Sequence, residues 1–303
     1  MIIIGGATAS GKTDFAAKLA KLLNSELISA DSMQVYYGMD IGTAKVKDET
    51  LGVKQNCIDI VYPKDNFSVF DYRNTAENII TNLIEKNKIP IVVGGTGFYI
   101  SSLIYEFSYG FNVLNYDLRA ELEKKLLTDG IEPLFFELKA LDPESAEKIS
   151  INNTRRIIRA LEITKSTGIQ FSKQNPQRKK IRDYDMYVLC SPNRDERNNK
   201  IDSRVDKMIE DGLCNEVENL LNSGVHFDTQ SMQGIGYKEW KGYFNENANL
   251  NSVIELIKIN TKHYAKRQET WFKHQYENVK SIQINELDSC IANIFENATR
   301  KFS

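Results

Sequence analysis

Cysteine and histidine are scarce in this chain and scattered where they occur. Four cysteines (Cys57, Cys190, Cys214 and Cys290) include no C-x-x-C pair, and there are three histidines, His226, His263 and His274. Zinc sites and disulfide frameworks need such residues at short, repeated spacings, so neither is expected and the thiols read as buried and free. No run of about 18 apolar residues is present, and the sequence opens on a strand-like segment and a loop rather than a cleavable leader. That predicts a cytoplasmic chain with no membrane partner. The net charge of −2 gives no overall attraction for a phosphate backbone,. Internal repeats and low-complexity segments are also missing. What remains, 303 residues with 41% hydrophobic and 26% charged, is ordinary for a globular protein and long enough for two domains.

The first informative feature is Gly6-Ala7-Thr8-Ala9-Ser10-Gly11-Lys12-Thr13, a match to the phosphate-loop pattern G-x-x-x-x-G-K-[ST],. Its context agrees. Met1 to Ile4 is an apolar run suited to a buried strand, and Thr13 to Leu23 carries Phe15, Ala16, Leu19, Ala20, Leu22 and Leu23 at helical spacing,. The loop therefore sits at a strand-to-helix turn, where free amides at a helix N-terminus face an anion. Lys12 adds a point charge, and the Thr13 hydroxyl can reach a magnesium ion. Such a loop usually serves a nucleoside triphosphate, but nothing within it decides what hangs from the phosphates.

Along the chain, strand and helix alternate. Glu26 to Ala30 reads as a strand ending at Asp31, Ile58 to Val61 as a weak strand, Asp71 to Lys86 as an amphipathic helix, and Ile89 to Val93 as a strong strand before Gly94-Gly95-Thr96-Gly97,. This pattern predicts an α/β fold, a P-loop-type parallel sheet wrapped by helices. From Asp117 to about Lys173 only helical periodicity is visible. Asp185 to Cys190 returns to strand, and helix is expected from Arg194 to the end, apart from a turn-rich Phe227 to Gly236. The division is then a catalytic core of residues 1–110 and 185–303 with a mostly helical insertion, 111–184. The carboxyl ends of the core strands should converge on one crevice.

Charge is uneven. Arg155, Arg156, Arg159, Lys165, Lys173, Arg178, Lys179, Lys180 and Arg182 face a single acid, Glu162, in 28 residues,. A second basic stretch, Thr261 to Lys273, interleaves Lys262, Lys266, Arg267 and Lys273 with Tyr264, Trp271 and Phe272. It suits RNA, or equally a solvated helix face packed by its aromatic side. Asp31, at a strand end beside the phosphate loop, is a candidate magnesium ligand or general base, with helix capping as the plainer alternative. Thr96 could hydrogen-bond a substrate in the same crevice, or could simply belong to a turn.

The segments Gly6 to Thr13, Asp31-Ser-Met-Gln-Val-Tyr-Tyr-Gly-Met-Asp-Ile-Gly-Thr-Ala-Lys45 and Gly94-Gly-Thr-Gly-Phe-Tyr99 together resemble the tRNA dimethylallyltransferases, also called tRNA isopentenyltransferases. The likeness continues through Asn153 to Glu162, Arg204 to Leu213, Gln233 to Tyr237 and Ala265 to Trp271, so it spans nearly the whole chain. Ala7 stands where the family's loop usually has proline, and Gln55-Asn56-Cys57 where histidines are common. The resemblance implies a magnesium-dependent transfer of a dimethylallyl group from its diphosphate to the exocyclic amine of the adenine just 3′ of a tRNA anticodon. It makes Asp31 the general base, with Thr96 assisting and Arg204 a second cation at the diphosphate. Residues Gly6 to Thr13 would bind dimethylallyl diphosphate, with magnesium on Thr13. Asp31, Ser32, Met33 and Gln34 would line the passage of a flipped adenine, and Arg155, Arg156, Ile157, Ile158 and Arg159 would grip the anticodon stem-loop. A monomer is expected. Two rivals share the loop: a small-molecule kinase using ATP, and an isopentenyltransferase acting on free adenylate, which would need no extended RNA grip.

Overall fold

The computed structural model describes residues 1–107, 115–173, 178–191, 193–246, 248–283 and 286–302. Its chain divides into two compact units, Met1–Ile104 with Arg182–Ser303, and Tyr105–Ile181.

The larger unit begins with β1 (Ile2–Gly6), α1 (Lys12–Leu22), β2 (Leu27–Ser29), α2 (Asp48–Leu51), β3 (Gln55–Asn56), α3 (Val69–Glu85), β4 (Ile91–Gly94) and α4 (Gly97–Ile104). The smaller unit then holds β5 (Tyr105–Phe107), α5 (Tyr116–Asp129), α6 (Glu132–Leu141), α7 (Pro143–Lys148), α8 (Thr154–Thr167) and β6 (Arg178–Lys180). The chain returns through β7 (Asp185–Cys190), α9 (Arg194–Glu210), α10 (Leu213–Asn222), α11 (Lys241–Glu246), α12 (Leu250–Gln275), β8 (Lys280–Gln283) and α13 (Leu287–Phe302).

Six strands in the order β3-β2-β4-β1-β7-β8 form one sheet, and every pairing in it is parallel. A parallel sheet is buried on both faces, which explains why β1 and β4 read as unbroken apolar runs. Alternate residues serve opposite layers. Ile2, Ile4, Leu27, Ile91, Val93 and Leu189 pack with Phe15 and Leu19 of α1 and Ile291 and Ile294 of α13. On the other side α12 crosses β1 so closely that a Cβ on Gly5 would lie 2.5 Å from the Phe272 ring. Helix α3 starts at a capping box: Ser68 Oγ accepts from Asp71 N at 3.2 Å, and Asp71 Oδ2 from Ser68 N at 2.8 Å,.

Two strand expectations are corrected. Ile58 to Val61 is not a strand. The pairing falls on Gln55 and Asn56 instead, because Cys57 and Asp59 take φ of 63° and 50°, a left-handed backbone that cannot continue a ladder,. Only a single bridge, Tyr36 to Val61, survives beyond it. The C-terminal segment is not wholly helical: β8 adds an edge strand beside β7. The smaller unit spans 105–181, where the sequence reading has 111–184, since a short antiparallel pair, β5 with β6, opens and closes it. Leu122, Leu134, Leu138, Ile157, Ile158 and Leu161 form its core.

Candidate active site

The strand-to-helix turn after β1 has the geometry that anion binding needs. Gly6 must be glycine: with φ of 153°, an added Cβ would lie 2.9 Å from both Leu189 O and Ser10 Oγ. Gly11 is in the left-handed region at φ 78° and no side chain caps α1. The first-turn amides are therefore left for a ligand. Ser10 Oγ is buried without a hydrogen-bond partner among the described residues, a second polar group awaiting one,. The crevice over this turn, about 130 Å³, is lined by Thr8 to Asp14, Asp31, Gln34, Thr43, Ala44, Arg204, Tyr264 and Gln268, among others. Every residue from Thr8 to Thr13 lines it, whereas Gly6 and Ala7 lie behind as support.

Two cations converge there. Lys12 Nζ donates to Ala7 O at 3.3 Å. Burial lowers its pKa to about 8; the nearby Asp31 carboxylate opposes that drop, and the Arg204 charge adds to it,. Arg204, from α9, sits with Nη1 3.4 Å from Thr8 Oγ1. Burial pushes it down as well, with Asp14 opposing. Two positive groups stripped of water and facing each other's field favour an anion with more than one charge.

Asp31 follows β2 and does what a capping residue does, and more. Its Oδ1 accepts from Met33 N at 2.9 Å and Gln34 N at 3.4 Å. The Oδ2 atom has no partner among the described residues, and Asp31 lines the crevice. Across from it, Thr96 Oγ1 accepts from Ser32 N at 3.0 Å, and Thr96 N donates to Ala30 O at 3.0 Å. The turn after β4 is thereby tied to the segment after β2. Gln34 sits beneath, its Nε2 donating to Thr43 O at 3.1 Å and its Oε1 accepting from Ser29 Oγ at 3.1 Å.

Three residues that sequence reasoning gave no role complete the site. Gln268, buried on α12, accepts from Thr8 N at 2.8 Å and donates to Gly95 O at 3.0 Å, joining the phosphate loop to the Gly94 to Thr96 turn. Tyr264, one helical turn earlier, enters the same crevice. Glu216 of α10 accepts from Asp40 N, Ile41 N and Gly42 N at 2.8, 2.7 and 3.1 Å and from Tyr237 OH at 2.6 Å, fixing the loop that leads to Thr43 and Ala44. The C-terminal basic stretch is thus largely architectural: Lys262 pairs with Asp202, Trp271 Nε1 donates to Tyr276 OH at 3.1 Å and Phe272 is buried.

A larger cavity of about 810 Å³ lies behind Ala7, between Leu189, Arg194, Lys266, Phe272 and Tyr276. It contains no row of free amides and not Asp31, so the smaller crevice is the one with chemistry.

In the smaller unit, Arg155 and Arg156 are exposed on α8 and form no ion pair among the described residues. Ile157 and Ile158 do not join them: both point into the core, at 0% and 3% exposure, so their side chains are not presented to solvent. Arg159 is engaged with the buried Glu162 at 2.8 Å. Within the basic run, Lys165 pairs with Glu137 and Arg182 with Glu77, and Gln174 to Gln177 lies outside the described residues.

Comparisons with known proteins identify the family. The IPP transferase family model matches residues 34–275, and the isopentenyl transferase family model residues 1–61. The tRNA dimethylallyltransferase of Alkaliphilus oremlandii is 42% identical over 292 residues, 96% of this chain and 93% of that protein. That of Acetivibrio thermocellus is 43% identical over 296 residues, 95% of this chain and 93% of its own. Among solved structures, the tRNA isopentenylpyrophosphate transferase of Bacillus halodurans is 40% identical with a TM-score of 0.73, covering 99% of this chain and 96% of that one. A eukaryotic dimethylallyltransferase described as acting on tRNA is 28% identical with a TM-score of 0.79, over 98% of this chain and 77% of that one. Thr96 itself does not line the phosphate-loop crevice; it is held just behind, on the Ser32 amide. With family-model and sequence matches along almost its whole length, the chain belongs to the IPP transferase family.

Proposed function

We propose that this protein transfers a dimethylallyl group from dimethylallyl diphosphate to the exocyclic N6 amine of the adenine 3′-adjacent to the anticodon in tRNA, releasing diphosphate. The allylic C–O bond breaks, a C–N bond forms, and the amine proton leaves to Asp31. The observation that carries this reading is the crevice itself, which brings free amides, Lys12 and Arg204 together with the Asp31 carboxylate. The names of the relatives support the same chemistry.

Leaving-group stabilisation is the main task. The Ala9 to Thr13 amides, Lys12 and Arg204 meet the charge that builds on the diphosphate as the C–O bond lengthens. Arg204 suits this because a rigid fork of donors matches phosphate oxygens. Adenine N6 is a weak nucleophile, its lone pair being shared with the ring, so a base at the amine is worth about 10²–10⁴-fold. Asp31 is suited to that role because the two amides on Oδ1 hold the carboxylate still while Oδ2 is left for the proton. A stacked anticodon-loop adenine must be flipped to reach it, at a cost of a few kcal/mol. Asp31 to Gln34 would line that passage.

Magnesium fits the donor set in one manner only. Among the described residues no cluster of three or more His, Cys, Asp or Glu could hold a metal. The ion would be held by the Thr13 hydroxyl, the diphosphate oxygens and water, as is common for this reluctantly dehydrating cation. When bound, it neutralises charge on the departing diphosphate. Arg155 and Arg156, exposed and without ion pairs, would take the phosphates of the anticodon stem-loop, and this is the observation that favours tRNA over free adenylate. No helix among the described residues is long and apolar enough to cross a membrane. We place the enzyme in the cytoplasm, where tRNA is modified, and propose that it works as a monomer.

The test is a three-way assay of the purified protein with magnesium: dimethylallyl diphosphate with unmodified tRNA, dimethylallyl diphosphate with AMP, and ATP with either. Prenylated tRNA in the first arm alone is expected. Efficient transfer to AMP, or phosphorylation from ATP without prenyl transfer, would sink the reading.

A further inference from the structure

One wall of the crevice has no secondary structure of its own. Thr43, Ala44 and Val46 line it, in a stretch between β2 and α2 that neither strand nor helix supports. Ala44 sits there at φ 52°, a left-handed backbone that its Cβ makes costly,. Such strain persists only where the surroundings over-determine it, and it concentrates at ligand clamps. Two side chains do the holding. Glu216 accepts from Asp40 N and Ile41 N on Oε2 at 2.8 and 2.7 Å, and from Gly42 N and Tyr237 OH on Oε1 at 3.1 and 2.6 Å. These fill the acceptor sites of the carboxylate. Lys45, its side chain 7% exposed, donates its three hydrogens to Tyr36 O, Asp40 Oδ1 and Asp59 Oδ1 at 2.5, 2.8 and 2.5 Å. The turn itself closes through Ala44 N to Ile41 O at 3.0 Å and Lys45 N to Asp40 O at 2.9 Å. Behind it there is no slack, since a Cβ on Gly42 would lie 2.6 Å from the Tyr237 ring.

The Ala9 to Thr13 amides, Lys12 and Arg204 account for the diphosphate end of the prenyl donor, but not for its five-carbon tail. Outside the phosphate loop, the aliphatic side chains that line the crevice are Ala44, Val46 and Val93, and an apolar tail belongs against apolar surface,. We infer that the Asp40 to Val46 loop is the wall that receives the tail, and that Glu216 and Lys45 are positioning residues that set how long a tail fits. The inference rests on the prenyl-transfer reading above and adds the selection of the prenyl donor. A crevice of about 130 Å³ is small beside the roughly 300–1,000 Å³ of ordinary ligand pockets, so a wall held still admits one isoprene unit and excludes a second,. Glu216→Gln releases the wall: whichever way round the new amide sits, its NH2 faces two of the groups that donate to the carboxylate. A released wall gives way to a longer tail and holds the short one less well.

The experiment uses the whole protein, an unmodified anticodon stem-loop RNA and two prenyl donors, dimethylallyl diphosphate and the ten-carbon geranyl diphosphate, and reads the ratio of their kcat/KM values. Wild-type protein should favour the shorter one by roughly a hundredfold or more. Glu216→Gln should lower kcat/KM for dimethylallyl diphosphate by roughly ten- to a hundredfold, the effect of a misplaced wall, and use geranyl diphosphate no less well than wild type. The ratio then falls at least about tenfold, with RNA affinity by filter binding unchanged. A wild-type ratio in Glu216→Gln, whether from no loss or from equal losses on both donors, overturns the inference, as does wild-type protein that uses both donors alike. If Glu216→Gln fails to fold, Val46→Ala decides, because it cuts back the wall with the clamp intact: the ratio should drop several-fold, and an unchanged ratio overturns the inference. No product from dimethylallyl diphosphate with wild-type protein refutes the prenyl-transfer reading itself, and the inference falls with it.

Discussion

Alkaline pH should weaken the phosphate site well before it affects a typical lysine-dependent enzyme. Burial brings Lys12 from 10.5 to about 8 in the ligand-free crevice, Asp31 opposing and Arg204 reinforcing the drop. A lysine is charged below its pKa, so the cation is present below about pH 8 and is lost as pH rises through that value. At about pH 9 the free enzyme would be charged in only about 9% of molecules, since 1/(1 + 10) is about 0.09; a lysine at 10.5 would still be about 97% charged. kcat/KM for dimethylallyl diphosphate should therefore fall about tenfold between pH 7.5 and 9, approaching a slope of one decade per unit, with the diphosphate itself fully ionised above about pH 7. Initial rates at low prenyl donor and saturating tRNA measure this directly. Lys12→Arg provides the control, because a guanidinium stays charged throughout: its absolute rate will be lower, but the alkaline limb should vanish. A profile flat to about pH 9.5, or the same limb in Lys12→Arg, refutes the assignment of that limb to a desolvated Lys12.

Other perturbations separate the parts. Asp31→Asn preserves an oxygen for the Met33 and Gln34 amides but removes the base, so turnover should fall about 10²–10⁴-fold with tRNA affinity by filter binding nearly unchanged; equal losses in both would mean a structural role. EDTA should abolish prenyl transfer and leave tRNA binding intact, with magnesium restoring activity. Arg155→Ala with Arg156→Ala should weaken tRNA binding and shallow the salt dependence by about two units of slope in a log–log plot, while dimethylallyl diphosphate binding stays as it was. Leu161→Ala opens a cavity in the core of the smaller unit and should cost about 2–5 kcal/mol in its unfolding by denaturant, without changing the pH profile of the crevice,.

The phosphate loop was readable because its chemistry is contiguous: eight neighbouring residues between an apolar strand and an amphipathic helix state their own geometry. Asp31 and Thr96 were readable as strand-end residues that the parallel sheet must bring together. Gln268 was hidden for the opposite reason. It meets Thr8 across 260 positions, on a helix whose charges and aromatics suggested a surface. Tyr264 was visible only as one aromatic in a basic stretch, since nothing local shows which face of α12 turns toward β1. Ile157 and Ile158 were grouped with their arginine neighbours by adjacency, yet helical periodicity sends them inward. The strand β8 escaped because it lies at the sheet edge with only Ile282 buried, so it carries almost no apolar signal,. Ile58 to Val61 misled because composition favours a strand there and the backbone at Cys57 and Asp59 does not permit one.

If the proposed function is right, this crevice moves a five-carbon unit onto one particular adenine. The most direct measurement is nuclease mapping with mass spectrometry of tRNA recovered after incubation with the protein, magnesium and dimethylallyl diphosphate. A C5H8 addition at N6 of the adenine immediately 3′ of the anticodon is expected, absent with Asp31→Asn. Addition at another nucleotide, or the same product from Asp31→Asn at the wild-type rate, would contradict it.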